Sequence, residues 1–285
     1  MKLGRGGPMT FILFAVGVTV LFFVSSLFSL IYGRRLGLLY LQRNGTDSMT
    51  GLPTVEGAVF ALTGLLVAFS ISGALQRFDE RRQLVTQEAN AVSTAYDRLA
   101  LFEKDVAREL QSKLKEYVQA RIELYHTPHD FSLLEGAELW SRDHQDKILG
   151  LKKNIWDATI TVCPQDSFRP SCSLAIPALA TAFEVATLRL GAAEKHPPQI
   201  VYMMLFGLGL GSSLLAGFSM AAAPARSWIH MVVFAGALAI TLYVITDIEF
   251  PRLGLVRIEN YDHFLLDVFE RMQVPSPSEN TLRGY

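Results

Sequence analysis

The sequence predicts an all-α integral membrane protein with four transmembrane helices and a cytosolic helical domain that continues from the second span. Three observations predict it. Half of the 285 residues are hydrophobic. They gather in four uncharged runs, Gly6–Gly33, Gly57–Gln76, His196–Ala225 and Ser227–Thr246, each long enough to cross a hydrocarbon core of about 30 Å. From Ala74 to Thr127 there is no glycine or proline, so the second run passes into a charged stretch with no backbone signal to end a helix.

The first span runs from about Met9 to Tyr32 and ends at Arg34 and Arg35. Its apolar region is too long for a signal peptide and lacks a small-residue cleavage site, so it is expected to remain in the mature protein. A polar, turn-like QRNGTDS cluster follows. The second span, about Thr54 to Leu75, opens beside Glu56 and changes character at Arg77. Beyond it, Phe78, Val85, Ala89, Val92, Tyr96, Leu99, Phe102, Val106, Leu110, Leu114 and Tyr117 recur in steps of three and four. That spacing predicts one buried face, and the intervening charges of alternating sign suit a solvated one. The helix is expected to end at His126–Asp130. The two histidines there are separated by a proline, and a polar helix end explains them better than a metal site.

A second soluble helix is expected over 131–162, on Leu133, Leu134, Leu139, Trp140, Ile148, Leu151, Ile155 and Trp156. A loop is expected over 163–177 and a third helix over 179–193. Pro197 and Pro198 mark the entry to the third span, about 199–223. The GLGLGSS at 207–213 resembles a nucleotide-binding loop only in its letters, because no strand precedes it. Gly207, Gly211 and Ser213, with the small residues of the second span, are expected at helix–helix contacts. The fourth span, about 227–246, exits through Asp247 and Glu249 to a short amphipathic helix and a polar tail. The domains are therefore 1–76, 77–196, 197–248 and 249–285.

Four spans put both termini on one side. Lys2, Arg5, Arg77, Arg81, Arg82, Lys195, Arg252 and Arg257 flank that side, against Arg34, Arg35, Arg43 and Arg226 on the other. The bias places the termini and 77–196 in the cytoplasm. Cys163 and Cys172, the only cysteines, are then expected as unpaired thiols. A disulfide needs an oxidising compartment, so the pair tests the topology. A net charge of −1 gives no sign of a nucleic-acid partner, and neither a cofactor nor a metal is expected.

The second-span exit, GLLVAFSISGALQRFDERRQLV, resembles a bestrophin stretch in which an apolar pore-lining helix passes into an A-Y-x-R-W-x-E-A-R-like sequence. Ala74, Arg77, Phe78, Glu80 and Arg82 hold comparable places. HPPQIVY at 196–202 is similar to the bestrophin entry to the third span, and DIEFPRLGL at 247–255 to the segment after the fourth. With the EANAVSTAY run at 88–96 and Arg189, most of the chain resembles the bacterial bestrophin-like proteins. Phe78-Asp79 departs from the aromatic pair of bestrophins proper, and the acidic calcium-binding cluster of the animal proteins has no counterpart.

The resemblance implies a homopentameric channel for inorganic ions in a bacterial inner membrane, with both termini cytoplasmic. Its second span would form a hydrophobic neck. Leu62, Leu65, Leu66 and Phe69 fall at helical spacing for such a neck, and the same face suits packing against other spans or lipid. Arg77, Asp79, Glu80, Arg81, Arg82, Asp247 and Glu249 are candidates for inner vestibule charges, or for a network that braces the helix ends. A non-conducting scaffold or sensor whose cytosolic helices bind a partner is the alternative. An enzyme is not expected, since no nucleophile elbow, zinc-protease motif or phosphate loop is present.

Overall fold

A computed structural model of the chain describes residues 8–45, 52–126, 135–223, 227–251, 255 and 259–273. Every regular element among them is a helix: α1 (Pro8–Asn44), α2 (Leu52–Leu99), α3 (Lys104–His126), α4 (Glu135–Val162), α5 (Arg169–Glu194), α6 (Gln199–Ser219), α7 (Trp228–Glu249) and α8 (Glu259–Gln273). Short 3-10 turns lie at Asp166–Phe168 and Met220–Ala222. Four segments are long and apolar enough to cross a membrane, carried by α1, α2, the stretch Asp166–Ala222 in which α6 supplies the uncharged run, and α7. The chain is a multi-pass membrane protein. The turn-like 46–48, the polar helix end at 127–130 and the tail from 274 lie outside the described residues.

The chain divides into two compact units. The membrane unit comprises Met9–Phe78 and His196–Val256. Its tightest contact joins α1 to α6. A side chain at Gly217 would meet the backbone of Leu30, one at Gly33 the backbone of Leu214, and one at Gly37 the carbonyl of Phe218. Phe22 fills the notch at Gly209, and Ser26 and Ser213 are fully buried. Backbones approach this closely only where side chains are absent or small. Ser213 is buried, but Gly207 and Gly211 face open space, as do Gly57 and Gly64 of α2. Gly209, Ser213 and Gly217 step by four and share the α1-facing stripe, while Gly207 and Gly211 lie on another side of the helix. Helix α2 joins α6 through the Thr63 and Ser212 hydroxyls, 2.8 Å apart. It joins α7 through Phe60 and Phe234, whose rings lie 5.9 Å apart. Helix α1 does not end at Arg34 and Arg35 but continues to Asn44, and the Arg34 guanidinium reaches the Ala223 carbonyl.

The helical unit holds Asp79–Lys195 and α8. Here the uninterrupted helix expected through Thr127 is corrected: α2 stops at Leu99 and the chain reverses over Ala100–Glu103 into α3. The amide of Gln111 donates to the Tyr96 carbonyl at 3.1 Å across the resulting hairpin. Burial makes this turn without glycine or proline. Leu99 and Phe102 are both buried, and the Phe102 ring packs on Phe168. The core is built from Val92, Leu99, Leu110, Leu114, Tyr117, Ile155, Leu179 and Phe183, with Leu265 and Met272 added from α8. Each large side chain among them contributes about 1.5–3 kcal/mol. The loop expected over 163–177 is also shorter. Helix α5 begins at Arg169, with Pro170 in its first turn, where no amide bond is lost. It carries Pro177 internally because Ala175, Ala178 and Leu179 are buried. Cys163 and Cys172 close this α4–α5 connection as a disulfide, with Cα atoms 5.8 Å apart. The expected unpaired thiols are therefore not found. The two helix ends bring the cysteines within bonding distance.

Candidate functional site

In the membrane unit the first part of α2 buries only Thr63 and Ala74 between Pro53 and Phe78. Its outward face carries Leu62, Leu65 and Phe69, exposed by 53%, 51% and 66%, while Leu66 is half-buried to one side. Further along the helix, Ser72 and Gln76 are also exposed. At 100° per residue, Ser72 and Gln76 fall within about 20° of Leu65 and Phe69 within about 40°. One stripe of the helix thus changes from apolar to polar without turning away.

Where α2 leaves the apolar run, Arg77 reaches Glu249 at the end of α7. The guanidinium donates from Nη2 at 2.7 Å and from Nε at 3.0 and 3.1 Å. Glu249 is fully buried, so this paired geometry is what allows a carboxylate to remain there. His196, just before α6, places Nδ1 3.2 Å from Glu249. Its ring stacks on Phe250 at 4.8 Å, and Phe250 packs on Phe11 at 5.2 Å. Asp247 is buried and accepts the Leu255 amide at 2.7 Å. The middle of α2, the end of α7 and the entry to α6 are tied together around one carboxylate, with the start of α1 packed beside it on Phe250.

In the helical unit the remaining predicted charges separate into two kinds. Arg81 is buried and donates to the carbonyls of Ala192 (2.9 Å) and Lys195 (2.7 Å). Glu80 pairs with the Lys195 ammonium at 2.9 Å. Asp79 and Arg82 stay at the surface, 62% and 47% exposed, with 4.0 Å between them. A buried cluster was missed as a cluster. Glu88 accepts Arg121 at 2.8 Å and Arg189 at 2.8 Å, and all three are almost fully buried. Arg121 also caps the Ala186 carbonyl at 3.0 Å. The available signal was a carboxylate at position 88 between the apolar Val85, Ala89 and Val92, which requires a cation on the same face.

The family model described as Bestrophin-like domain matches residues 22–261. The chain belongs to the bestrophin-like family. No curated protein and no solved structure gives a match. The three stretches of this bestrophin-like chain that carry the resemblance, where α2 leaves its apolar run, before α6 and at the end of α7, meet at Glu249. Glu88 and Arg189, both in the remaining quoted positions, meet in the helical core.

Proposed function

We propose that this protein is a homo-oligomeric ion channel, a pentamer by the bestrophin resemblance, in which α2 forms a hydrophobic neck at Leu62, Leu65, Leu66 and Phe69 and inorganic ions pass along it. The outward stripe of α2 carries the proposal. Of the four membrane-crossing segments, the one in α2 is buried least, 11% of its most apolar window. Lipid would satisfy Leu65 and Phe69, but it favours less the Ser72 hydroxyl that lies within the span on the same stripe. A lumen lined by several copies accommodates both: apolar side chains where water is excluded, polar ones where it is admitted. Apolar side chains in a narrow ring offer nothing in place of an ion's hydration shell, so the resting conductance is small or zero.

The test is to record the purified protein in planar bilayers beside Phe69→Ala, Leu65→Ala and the double variant, with the oligomer mass measured in each. Current that rises on truncation while the oligomer stays intact supports the neck. Silence in every variant that still assembles removes the channel and leaves a non-conducting scaffold. A monodisperse monomer in several mild detergents counts equally against it.

The proposed orientation, with both termini and the helical unit cytoplasmic, follows the Lys/Arg bias. The Cys163–Cys172 disulfide pulls the other way, because cytosolic thiols are kept reduced. Alkylating freshly isolated membranes before denaturation decides between them. Modified cysteines support the cytoplasmic side, and a bond that persists in native membranes moves the helical unit to the oxidising side.

A further inference from the structure

We propose that Cys163 and Cys172 are a thiol–disulfide exchange switch, opened by a cytosolic dithiol and closed under oxidative load, an inference that rests on the cytoplasmic orientation proposed above. They are the only cysteines of the chain. Both lie in the helical unit, where the structure joins them between the end of α4 and the first turn of α5. The cytosol keeps thiols reduced, and the disulfides that do form there are transient ones, made for catalysis or redox sensing. On that side of the membrane, two cysteines held with Cα atoms 5.8 Å apart are a pair that opens and closes. Their sulfurs are not equally reachable. Cys163 is half-buried and is followed by the exposed Pro164, Gln165, Asp166 and Ser167, whereas Cys172 is buried in the core of the unit.

Exchange therefore starts at Cys163. A thiolate of the dithiol attacks its Sγ, the bond to Cys172 breaks, and Cys172 leaves as a thiolate that takes up a proton. The second thiol of the reductant then displaces Cys163. Two electrons and two protons pass to the protein, and the reductant becomes a disulfide. Closure is the reverse exchange, with oxidised glutathione as the electron acceptor. What the bond holds is a corner at which α5 meets the α2–α3 reversal. Ser171 Oγ donates to the Leu101 carbonyl at 2.8 Å, and Arg98 Nη1 to the Leu174 carbonyl at 3.0 Å. Phe168, the one buried side chain between the cysteines, packs on Phe102 with ring centroids 5.7 Å apart. The closed bond ties α4 to this corner. Opening it returns chain entropy to the connection, so the corner should open locally about tenfold to a hundredfold more often.

The experiment uses full-length protein in growing cells, with a reporter fused to the C-terminus to read the orientation. Cells are quenched in acid, and free thiols are counted with a mass-adding alkylating reagent before and after a pulse of the thiol oxidant diamide. Both thiols should be free before the pulse, paired after it, and free again once the oxidant is removed. In the purified protein, graded ratios of reduced to oxidised glutathione should convert the pair reversibly while helicity and oligomer mass persist. Amide exchange over 98–103 and 164–174 should be about tenfold to a hundredfold faster in the reduced form. The double variant Cys163→Ser/Cys172→Ser should show the faster rates in either buffer. With a cytoplasmic reporter, thiols that stay free through the pulse, or a bond that persists throughout, overturn the switch and leave the orientation standing. Equal exchange of the two forms at the corner does the same. A reporter on the oxidising side overturns the orientation and the switch together.

Discussion

From Pro53 to Phe78, helix α2 buries Thr63 and Ala74; from Asp79 to Leu99 it buries Arg81, Leu84, Val85, Glu88, Ala89, Val92, Ala95 and Leu99. The same helix is the core of a fold in its second part and an open surface in its first. In the second part, polar groups are admitted only with partners, as Glu88 with its two arginines shows. In the first part, leucines and a phenylalanine are left uncovered by the protomer. Side chains in the two parts are therefore under different constraints. Those of the second part hold the protomer together, and those of the first part are available to whatever surrounds or passes it.

The largest effect is expected at Glu88. Glu88→Ala leaves two buried guanidiniums facing each other, at a cost of about 3–5 kcal/mol. The check is the loss of protease resistance and of the thermal transition of the purified protein. Arg77→Ala removes the guanidinium from the buried Glu249, which keeps the His196 ring beside it, and should cost up to about as much in the membrane unit. If Arg77→Ala unfolds nothing and only alters currents, Arg77 belongs with the open side chains of the first part and not with the braces. Gly217→Ala should cost about 1–3 kcal/mol, because its new methyl meets the Leu30 backbone. Gly207→Ala, with open space around it, should be silent within the protomer. Expression and monodispersity of the pair, measured side by side, read this difference. Cys163→Ser removes the closure of a short loop, worth about 2–3 kcal/mol by chain entropy, and the comparison is thermal stability with and without reductant. The smallest effect is expected at Phe69. Phe69→Ala should leave the stability of the protomer nearly unchanged, unlike the roughly 3–5 kcal/mol of a buried phenylalanine. A large loss there would make it a packing residue.

The spans were legible because uncharged runs have one physical use in a chain of this kind. The buried face from Val85 to Tyr117 was legible because helical spacing survives any tertiary arrangement. The reversal at Ala100–Glu103 was not, since no residue there breaks a helix and the turn is made by the burial of Leu99 and Phe102 on distant partners. The start of α5 was hidden by prolines that read as loop but fit a first turn. The charges around Arg77 were legible as a group, but their pairing depends on where α6 and α7 return. Leu62, Leu65 and Phe69 could be seen to share a face, but what that face meets is not written in one copy of the chain.

The contact of α1 with α6 also has a consequence in time. Arg34 and Ala223, joined near one end of that contact, are 189 residues apart. At ordinary translation speeds of about 5–20 residues per second, α1 enters the bilayer on the order of ten seconds or more before its partner exists. Through that interval the backbone notches at Gly33 and Gly37 are filled by lipid or by an insertion factor. The nascent protein must give up those occupants when α6 arrives, so biogenesis of the membrane unit ends with an exchange rather than with a simple collapse.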